Sequence, residues 1–520
     1  MAEELARRAV RSSAPRTSRR LEDICAGAQV IVVANREPYA HDRLSNGRIV
    51  VTQSSSGVVN AVEPLLRACG GVWVAHGSGT ADMDAALERD GLDVPPGEPR
   101  YRLRRVWLSQ DEQQGYYRGF ANEALWPLCH RAHVRPIFRS ADFEAYAAVN
   151  GRFAEAVCDE ASDESPIVLV QDYHFALAPQ LIREQLPLST IVSFWHIPWP
   201  EWQTFEICPW RRQILQGLLG SSIIGFQTPG DCRNFLGTVE HAFEAPIDSG
   251  GESVSVRGRR VLVRAYPASV AWTRPAQPPA GAAENSDESV RRELGLPDSV
   301  RIGVGVDRLD YTKGLEEKFL AIERLLESFP EFLDRFVYIQ LAEPSRLGIP
   351  AYDALRARVR STAGRINRRF GHVDYCPIVI LEGHHNPEDV CRYLRAADLC
   401  CIASLHDGMN LVSKEFVRAR TDERGVLILS AFAGAARELT DALIVNPYDA
   451  DGTAAALAAA LTMSDEEQRT RMRRMRHVVA RFDAHRWGAD MLADAADVRS
   501  RRGALVAASD PGAELAAAVS

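Results

Sequence analysis

The stretch RIGVGVDRLDYTKG, residues 301–314, decides the fold of this 520-residue chain. Residues 301–306 form an almost continuous apolar run, which is typical of a parallel β-strand covered on both faces. A polar loop follows, and the chain then enters a predicted helix that places Leu315 and Phe319 on one apolar face. A strand, a loop and a helix in this order form the repeating unit of a doubly wound α/β domain.

The same alternation of strands and helices continues along nearly the whole chain after residue 28. The predicted strands are residues 30–35, 166–171, 190–196, 223–227, 260–267, 301–306, 336–342, 378–383, 399–404, 425–430 and 442–446. Their apolar runs are continuous rather than alternating, so we expect parallel sheets with both faces covered. We predict an α/β fold of two doubly wound parallel-sheet domains, with ligands bound at the carboxyl ends of the strands.

The length of the chain exceeds what one hydrophobic core usually supports, so two domains are expected. The segment TRPAQPPAGAAENSDES is rich in proline, alanine and small polar residues, and a new strand–helix series follows it. The predicted divisions are a disordered basic tail at 1–27, an N-terminal domain at 28–272, a linker region at 273–289, a C-terminal domain at 290–480, a C-terminal helix at 481–498 that packs back on the N-terminal domain, and a tail at 499–520.

The composition is that of an ordinary globular protein and argues against several classes of function. The chain is 46% hydrophobic and 25% charged, and its net charge of −8 disfavours a general binder of nucleic acids or anionic membranes. No apolar run reaches the roughly 18 residues of a membrane span, and the basic N-terminus lacks the apolar core of a secretory signal. Ten scattered cysteines without a CxxC pair predict reduced thiols in the cytoplasm.

Two cations of the opening stretch, Arg308 and Lys313, stand where a strand ends and a helix begins. Only three of the 61 basic residues are lysines, and one of them lies in this loop. The free N–H groups and the dipole of a helix N-terminus favour anions, and an arginine fork binds phosphate in a bidentate manner. An anion site is one interpretation; the alternative, a surface ion pair with Asp307 or Asp310, stays open at this point.

Other predicted strand exits carry residues suited to binding sugars. Residues 406–410 turn tightly before a helix that carries Glu415, whose carboxylate could accept two hydroxyl groups or simply stabilise the helix. Asp172 and His174 follow one strand, and His196 ends the next. These three side chains could bind a metal, but their spacing matches no ligand motif, and a structural histidine is the commoner case.

One arginine and three aromatic residues complete the candidates. Arg36 leaves the first strand, while Tyr116, Tyr117 and Trp126 are either core aromatics or a platform for a sugar ring. Taken together, the candidates place cations, carboxylates and aromatic rings at strand ends in both halves of the chain.

Seven motifs match one protein family in its own order: VANREPY, YYRGFANEALWPL, QDYHFALAPQLI, FWHIPWP, GVDRLDYTKGL, LHDGMNLVSKE and SAFAGAARELTDALIVNPYD. Together they resemble trehalose-6-phosphate synthase and its close relatives, which are retaining glycosyltransferases of the GT-B type, with two Rossmann-like domains facing a cleft. The resemblance covers residues 28–495. It implies that the N-terminal domain binds the acceptor, the C-terminal domain binds the nucleotide sugar, and glucose passes from a nucleotide-diphosphate glucose to glucose 6-phosphate, giving trehalose 6-phosphate.

The resemblance also implies a donor site in the C-terminal domain. Arg308 and Lys313 would grip the diphosphate, Asp407 would hold sugar hydroxyls, and Glu415 would bind the ribose. The other donor-binding residues implied by the resemblance are Ser56, Gly57, Gly408, Met409, Asn410 and Leu411.

The implied acceptor site lies mainly in the N-terminal domain. Asp172 would hold acceptor hydroxyls, and His196 would lie beside the donor sugar with its backbone near the 6-hydroxyl. The acceptor phosphate would be bracketed by Arg36, Tyr117, Trp126 and Arg346. The implied catalytic set is Arg308, Lys313, Asp172, His196 and Asp407.

The implied reaction is a front-face transfer. The departing phosphate oxygen takes the proton of the acceptor hydroxyl while cations stabilise the leaving group. Arginine and lysine can do this without a divalent ion, so we expect no metal cofactor, only a nucleotide-sugar co-substrate. The expected partners are small sugar phosphates, and the sequence is compatible with a homo-oligomer.

The chain departs from the family pattern at three points. Only one glycine remains in residues 55–57, His76 stands where many relatives have tryptophan, and His406 where they have arginine. The nucleotide base and the acceptor therefore stay open. Glucosylglycerol-phosphate synthase and a pseudo-glycosyltransferase are alternatives with related chemistry. A catalytically silent sugar-phosphate sensor is a different class, which the retained diphosphate-binding cations disfavour.

Overall fold

The computed structural model describes residues 27–54, 57–86, 91–248, 250–256, 258–272 and 286–508. Within these ranges the chain forms two open, mostly parallel sheets covered by helices, which confirms the predicted fold class. Residues 1–26 of the predicted tail, residues 273–285 of the predicted linker and residues 509–520 lie outside the described part. The last four residues of the predicted linker belong to a helix that begins at Ser286.

Nine strands form the N-terminal sheet, and a separate hairpin follows the first of them. The bounds are β1 Val30–Val33, β2 Tyr39–Arg43 and β3 Ile49–Gln53 (the hairpin), β4 Val72–His76, β5 Gly91–Val94, β6 Tyr101–Val106, β7 Ile167–Gln171, β8 Thr190–Trp195, β9 Ile223–Phe226, β10 Ser253–Val256 and β11 Arg259–Ala265. The order in the sheet is β10-β11-β9-β8-β7-β1-β4-β6-β5, and the edge strands β5 and β10 run antiparallel to their neighbours.

Strands β2 to β6 and β10 were not predicted from the sequence. Strand β6 shows why, because three of its six residues are arginines. Arg102 and Arg104 pair with Glu160 on a distant helix, and Arg105 is buried against Glu37 and Asp82. A charged strand of this kind enters a sheet only because distant acids neutralise it, and the local apolar pattern cannot reveal those partners.

Helices cover both faces of the N-terminal sheet. Their bounds are α1 Gly57–Cys69, α2 Asp82–Ala85, α3 Gln110–Glu112, α4 Trp126–Cys129, α5 Ser140–Glu160, α6 Ala178–Gln185, α7 Trp202–Phe205, α8 Arg211–Leu218 and α9 Pro229–Phe243. A π-helix, Gln113–Leu125, joins α3 to α4. It carries Tyr116 and Tyr117; Tyr116 is fully buried and is a core aromatic.

The C-terminal sheet has six strands, all parallel. They are β12 Arg301–Arg308, β13 Phe336–Glu343, β14 Ile378–Glu382, β15 Leu399–Ile402, β16 Val426–Ser430 and β17 Leu443–Val445, in the order β14-β13-β12-β15-β16-β17. The helices are α10 Ser286–Leu294, α11 Leu315–Ser328, α12 Pro350–Phe370, α13 Pro387–Ala396, α14 Leu411–Ala419, α15 Ala450–Thr462 and α16 Asp465–Arg481. All six strands were predicted, with ends that differ by one or two residues.

The last helix, α17 Ala484–Ala508, lies against the N-terminal sheet. The Trp487 indole donates to the Tyr266 carbonyl at 3.1 Å, and the Tyr266 hydroxyl donates to Asp494 at 2.7 Å. The helix continues past residue 498, where the sequence analysis began a tail, because Arg502 still donates to the Ser189 carbonyl at 2.9 Å. None of the helices in the described ranges is both long and apolar enough to cross a membrane.

Candidate active site

The candidate site residues lie where the carboxyl ends of the two parallel sheets face each other. Arg36 follows β1 in the N-terminal sheet, and Arg346 follows β13 in the C-terminal sheet. The domains touch there: a Cβ atom on Gly408 would lie 2.4 Å from the His196 carbonyl oxygen. The Arg346 guanidinium also lies 3.9 Å from the centre of the Trp126 ring. The strand exits of the two domains therefore form one site.

Lys313 and Asp407 form the centre of the donor half of this site. The Lys313 ammonium donates to the Asp407 carboxylate at 2.6 Å, and only 13% of each side chain is exposed. The Ser404 hydroxyl and the Asn410 amide donate to the same oxygen at 3.2 and 3.1 Å. Burial raises the pKa of Asp407, but Lys313 and Asn410 outweigh burial and lower it below its usual value. The free site thus holds a cation and a carboxylate that can separate to meet a diphosphate and sugar hydroxyls.

The alternative interpretation of the loop cations, an ion pair with Asp307 or Asp310, does not hold, because both carboxylates bind other cations. Asp307 accepts from the buried ammonium of Lys318 at 2.7 Å rather than from Arg308 or Lys313. Asp310 accepts from Arg346, 36 residues further along the chain, at 2.5 Å. The opening loop is therefore not a solvated surface loop, and its cations remain directed toward the cleft.

Gly314 fixes the direction of Lys313. The residue has φ +62°, and a Cβ atom there would lie 2.0 Å from the Ala403 carbonyl oxygen. Only glycine tolerates both this backbone conformation and this approach. The short 3₁₀ turn Tyr311–Lys313 is consequently held against the end of β15, so that the lysine reaches Asp407.

The start of α14 presents backbone N–H groups to the cleft. Asn410 has φ 75° and caps the helix, because its side chain accepts from the Ser413 N–H at 3.0 Å. Met409 is buried beneath this turn, and Glu415 lies half-buried one turn into the helix. Burial raises the pKa of Glu415, against a lowering effect of Arg418.

The predicted donor loop of the N-terminal domain meets the same helix start. A Cβ atom on Gly57 would lie 3.1 Å from a methyl group of Leu411. These two predicted donor-binding residues, one from each domain, are therefore neighbours. Ser56, the other residue predicted in this loop, lies outside the described residues.

Three arginines converge on one tyrosine hydroxyl in the acceptor half of the site. Burial raises the pKa of Tyr117, but Arg346, Arg36 and Arg308 outweigh burial and lower it, and Arg36 also hydrogen-bonds the hydroxyl. Arg346 and Arg308 lie over the Trp126 ring, with 3.9 and 5.5 Å between guanidinium carbon and ring centre. This cluster, which we call the arginine cluster, brings together Arg308 of the predicted donor set and all four residues predicted to bracket the acceptor phosphate.

Several buried polar atoms beside the arginine cluster have no hydrogen-bond partner in the described structure. They are Trp126 Nε1, Arg346 Nε, His174 Nε2 and Gln171 Nε2. Buried donors and acceptors are normally satisfied, because an unpaired one costs about 1–3 kcal/mol. Their presence at the cleft fits a site whose polar partners arrive with a ligand.

Asp172 occupies a strained position between the two strand exits. Its backbone has φ 75° and ψ 169°, a region that residues other than glycine rarely adopt. Its carboxylate accepts from the N–H groups of Tyr173 at 2.9 Å and His196 at 3.3 Å. Burial nevertheless raises the pKa of Asp172 to about 7. Strain combined with a perturbed carboxyl group is typical of functional residues.

His196 contributes its backbone rather than its ring to the cleft. The imidazole Nε2 bonds the Gln171 side chain at 2.9 Å, and burial lowers the pKa of the ring to about 3. The ring is therefore neutral, while the carbonyl faces Gly408 of the opposite domain. The backbone role beside the donor sugar that the resemblance implies for His196 stays a prediction.

His174 does not join a metal site with Asp172 and His196. Its ring stacks on Tyr117 with 5.6 Å between centres and 9° between planes, and burial lowers its pKa to about 3. Its Nδ1 lies 3.8 Å from the Asp172 carboxylate, whereas the His196 ring points away and bonds the Gln171 side chain. Among the described residues, no three or more His, Cys, Asp or Glu side chains are grouped to hold a metal ion.

The two unusual histidines have structural partners. His406 accepts the backbone N–H of Arg131 from the other domain at 3.0 Å, and Tyr448 donates to the Arg131 carbonyl at 3.2 Å. Burial and Arg131 lower the pKa of His406 to about 4, so the ring accepts as a neutral group. His76 bonds the Val106 carbonyl at 3.1 Å. His406 is thus an interdomain contact that the sequence did not reveal.

The fold and the site define a class of protein, a GT-B glycosyltransferase. Residues 28–497 match the model of glycosyltransferase family 20, and the chain belongs to this family.

The chain is similar to named relatives and to proteins of known structure. The trehalose-6-phosphate synthase of Mycobacterium avium (strain 104) is 39% identical over 485 residues, which cover 91% of this chain and 96% of the relative. An α,α-trehalose-phosphate synthase (UDP-forming) from Burkholderia xenovorans, solved in complex with glucose-6-phosphate, is 32% identical with a TM-score of 0.80, covering 90% of this chain and 100% of that one. An E. coli structure bound with UDP-2-fluoro glucose is 31% identical, with a TM-score of 0.78 and coverage of 90% and 99%.

Proposed function

We propose that this chain transfers the glucosyl group of UDP-glucose to glucose 6-phosphate and forms α,α-trehalose 6-phosphate. One observation carries the proposal: a single cleft holds both the pair Lys313–Asp407 and the arginine cluster. Two phosphorylated substrates that react with each other need two such cationic sites side by side. The similar structures solved with UDP-2-fluoro glucose and with glucose-6-phosphate support this choice of substrates.

In the proposed donor site, Lys313 and Arg308 bind the diphosphate. The Lys313 ammonium leaves Asp407, whose carboxylate then accepts from hydroxyls of the donor glucose. The N–H groups at the start of α14 face the same phosphates, and Glu415 accepts from the ribose. Lys313 and Asp407, which are paired with each other in the free site, therefore each exchange that partner for a group of the donor.

In the proposed acceptor site, the phosphate of glucose 6-phosphate is bracketed by the four members of the arginine cluster other than Arg308, namely Arg36, Tyr117, Trp126 and Arg346. Asp172 accepts from a sugar hydroxyl. The acceptor oxygen attacks the anomeric carbon on the face from which the diphosphate departs. The bond from that carbon to the phosphate oxygen breaks, the new glycosidic bond forms on the same face, and the acceptor proton passes to the departing oxygen. Lys313 and Arg308 stabilise the negative charge on the leaving group.

The cations of this chain stabilise the leaving group in our proposal, so transfer should persist after dialysis against a chelator.

We also propose that the protein is cytoplasmic. The cysteines of the described part are free thiols, which is the usual state in a reducing compartment.

Turnover with defined substrates tests the proposal. The protein is incubated with UDP-, ADP- or GDP-glucose and with glucose 6-phosphate or glycerol 3-phosphate, and products are identified by mass. We expect a phosphorylated disaccharide from glucose 6-phosphate, formed fastest with UDP-glucose. Product from glycerol 3-phosphate alone, or none with glucose 6-phosphate under any donor, would overturn the proposed acceptor.

A further inference from the structure

Asp310 is a buried carboxylate whose two oxygens face different parts of the site. Its Oδ1 accepts from the Thr312 N–H and from the Thr312 hydroxyl, both at 3.0 Å. Its carbonyl accepts from the Lys313 N–H at 3.0 Å. The Asp310 side chain thereby caps the 3₁₀ turn that aims Lys313 at the donor half of the site.

The other oxygen of Asp310 binds an arginine of the acceptor half of the site. Oδ2 accepts from Arg346 Nη1 at 2.5 Å, and the two side chains are 0% and 3% exposed. The same guanidinium nitrogen donates to the Tyr352 hydroxyl, and Nη2 donates to Tyr173 at 3.3 Å. These bonds hold the guanidinium over the Trp126 ring, with its carbon 3.9 Å from the ring centre.

The charge of Asp310 is maintained by its ion pair with Arg346 and by two other nearby cations. Burial raises its pKa, but Arg346, Arg308 and Lys313 outweigh burial and hold it at about 2. Three cations close together repel one another, and one central carboxylate offsets that repulsion while the site is empty. Because the carboxylate is fully enclosed, it has no access to a substrate.

We infer that Asp310 is a positioning residue that orients the cation for the donor diphosphate and the cation for the acceptor phosphate at once. This inference rests on the proposed function. It follows that the loss of the Asp310 charge weakens the binding of both substrates. Loss of a contact on one side of the carboxylate weakens only the binding of the substrate on that side.

Three variants of the full-length protein separate these effects. Asp310→Asn keeps the shape but directs an uncharged group at Arg346. Thr312→Val removes the hydroxyl contact on the lysine side, and Tyr352→Phe removes the hydroxyl contact on the arginine side. For each variant, KM is measured for UDP-glucose and for glucose 6-phosphate, together with kcat. Binding of UDP alone and of inorganic phosphate alone is measured by calorimetry.

We expect Asp310→Asn to raise both KM values by about 10- to 100-fold, by analogy with the loss of a residue that orients a metal ligand. Thr312→Val should raise only the donor KM, and Tyr352→Phe only the acceptor KM. A merely structural role predicts a lower kcat with unchanged KM values, since the surviving folded molecules would be normal. That result, or an effect of Asp310→Asn on one substrate alone, would overturn the inference.

The inference stays testable if Asp310→Asn does not fold. In that case Thr312→Val and Tyr352→Phe decide, and equal effects of either variant on both substrates, or no effect of either, would overturn it. Binding of UDP and inorganic phosphate does not depend on which sugars react. Failure of the proposed function, seen as wild-type protein without turnover, is therefore distinguishable from failure of the positioning role.

Discussion

Replacing Asp172 with asparagine should stabilise the free protein at alkaline pH while it impairs transfer. Burial raises the pKa of this carboxyl group from 3.8 to about 7. An asparagine oxygen can still accept from the N–H groups of Tyr173 and His196. Both residues would carry the same strained backbone at φ 75°, so the comparison isolates the charge.

The magnitude follows from the pKa shift. A rise of about 3 units corresponds to about 4 kcal/mol. The folded protein binds this proton more tightly than the unfolded chain, so wild-type stability falls as pH rises from 3.8 toward about 7. The full penalty is present above pH 7 and nearly absent at pH 4. At roughly 2 °C per kcal/mol for a domain of this size, Asp172→Asn should unfold up to about 8 °C higher at pH 8.

Thermal unfolding of the ligand-free protein at pH 4, 6 and 8 measures this difference, with transfer assayed in parallel. The exposed Asp111 provides a matched control, since Asp111→Asn should change stability by less than about 1 kcal/mol at every pH. We expect Asp172→Asn to transfer glucose about 100-fold more slowly, because the acceptor hydroxyl loses its anionic partner. Equal stability of Asp172→Asn and wild type at pH 8 would refute the reasoning.

Three further predictions concern the cleft. Lys313→Ala should lower kcat by about 100-fold through lost leaving-group stabilisation, and an unchanged kcat would reject that role. Gly408→Ala should lower kcat/KM for both substrates, because its Cβ would lie 2.4 Å from the His196 carbonyl oxygen, whereas Gly237→Ala, with open space at its Cβ, should leave activity unchanged. Arg346→Lys should raise the acceptor KM by about 10-fold or more, since lysine lacks the planar fork that stacks on the indole, and the donor KM should stay within about two-fold.

The C-terminal sheet could be predicted from sequence because its strands are apolar throughout. In strand β13, for example, seven of the eight residues are buried and the last is half-buried, so the apolar run itself defines the strand. Strand β6 could not be predicted, because its arginines are neutralised by acids far away in the chain. Local pattern predicts a strand only where burial depends on the strand's own side chains.

The residues of the candidate site could be predicted from the sequence, but the contacts between them could not. The motifs named Lys313 and Asp407 separately, yet their contact spans 94 residues and appears only once the two strand exits lie side by side. The same holds for Asp310, whose partner Arg346 lies in the loop after the neighbouring strand β13. The strain at Asp172 was also invisible, because it arises where the end of β7 meets the end of β8.

The anomeric configuration of the product tests the central claim most directly. In the proposed reaction the acceptor attacks the face from which the diphosphate leaves, so the α-configuration of UDP-glucose should be retained. Proton NMR of the product from UDP-glucose and glucose 6-phosphate should show an α-linkage at both anomeric carbons. A β-linked disaccharide phosphate, or free glucose as the main product, would contradict the proposed front-face transfer.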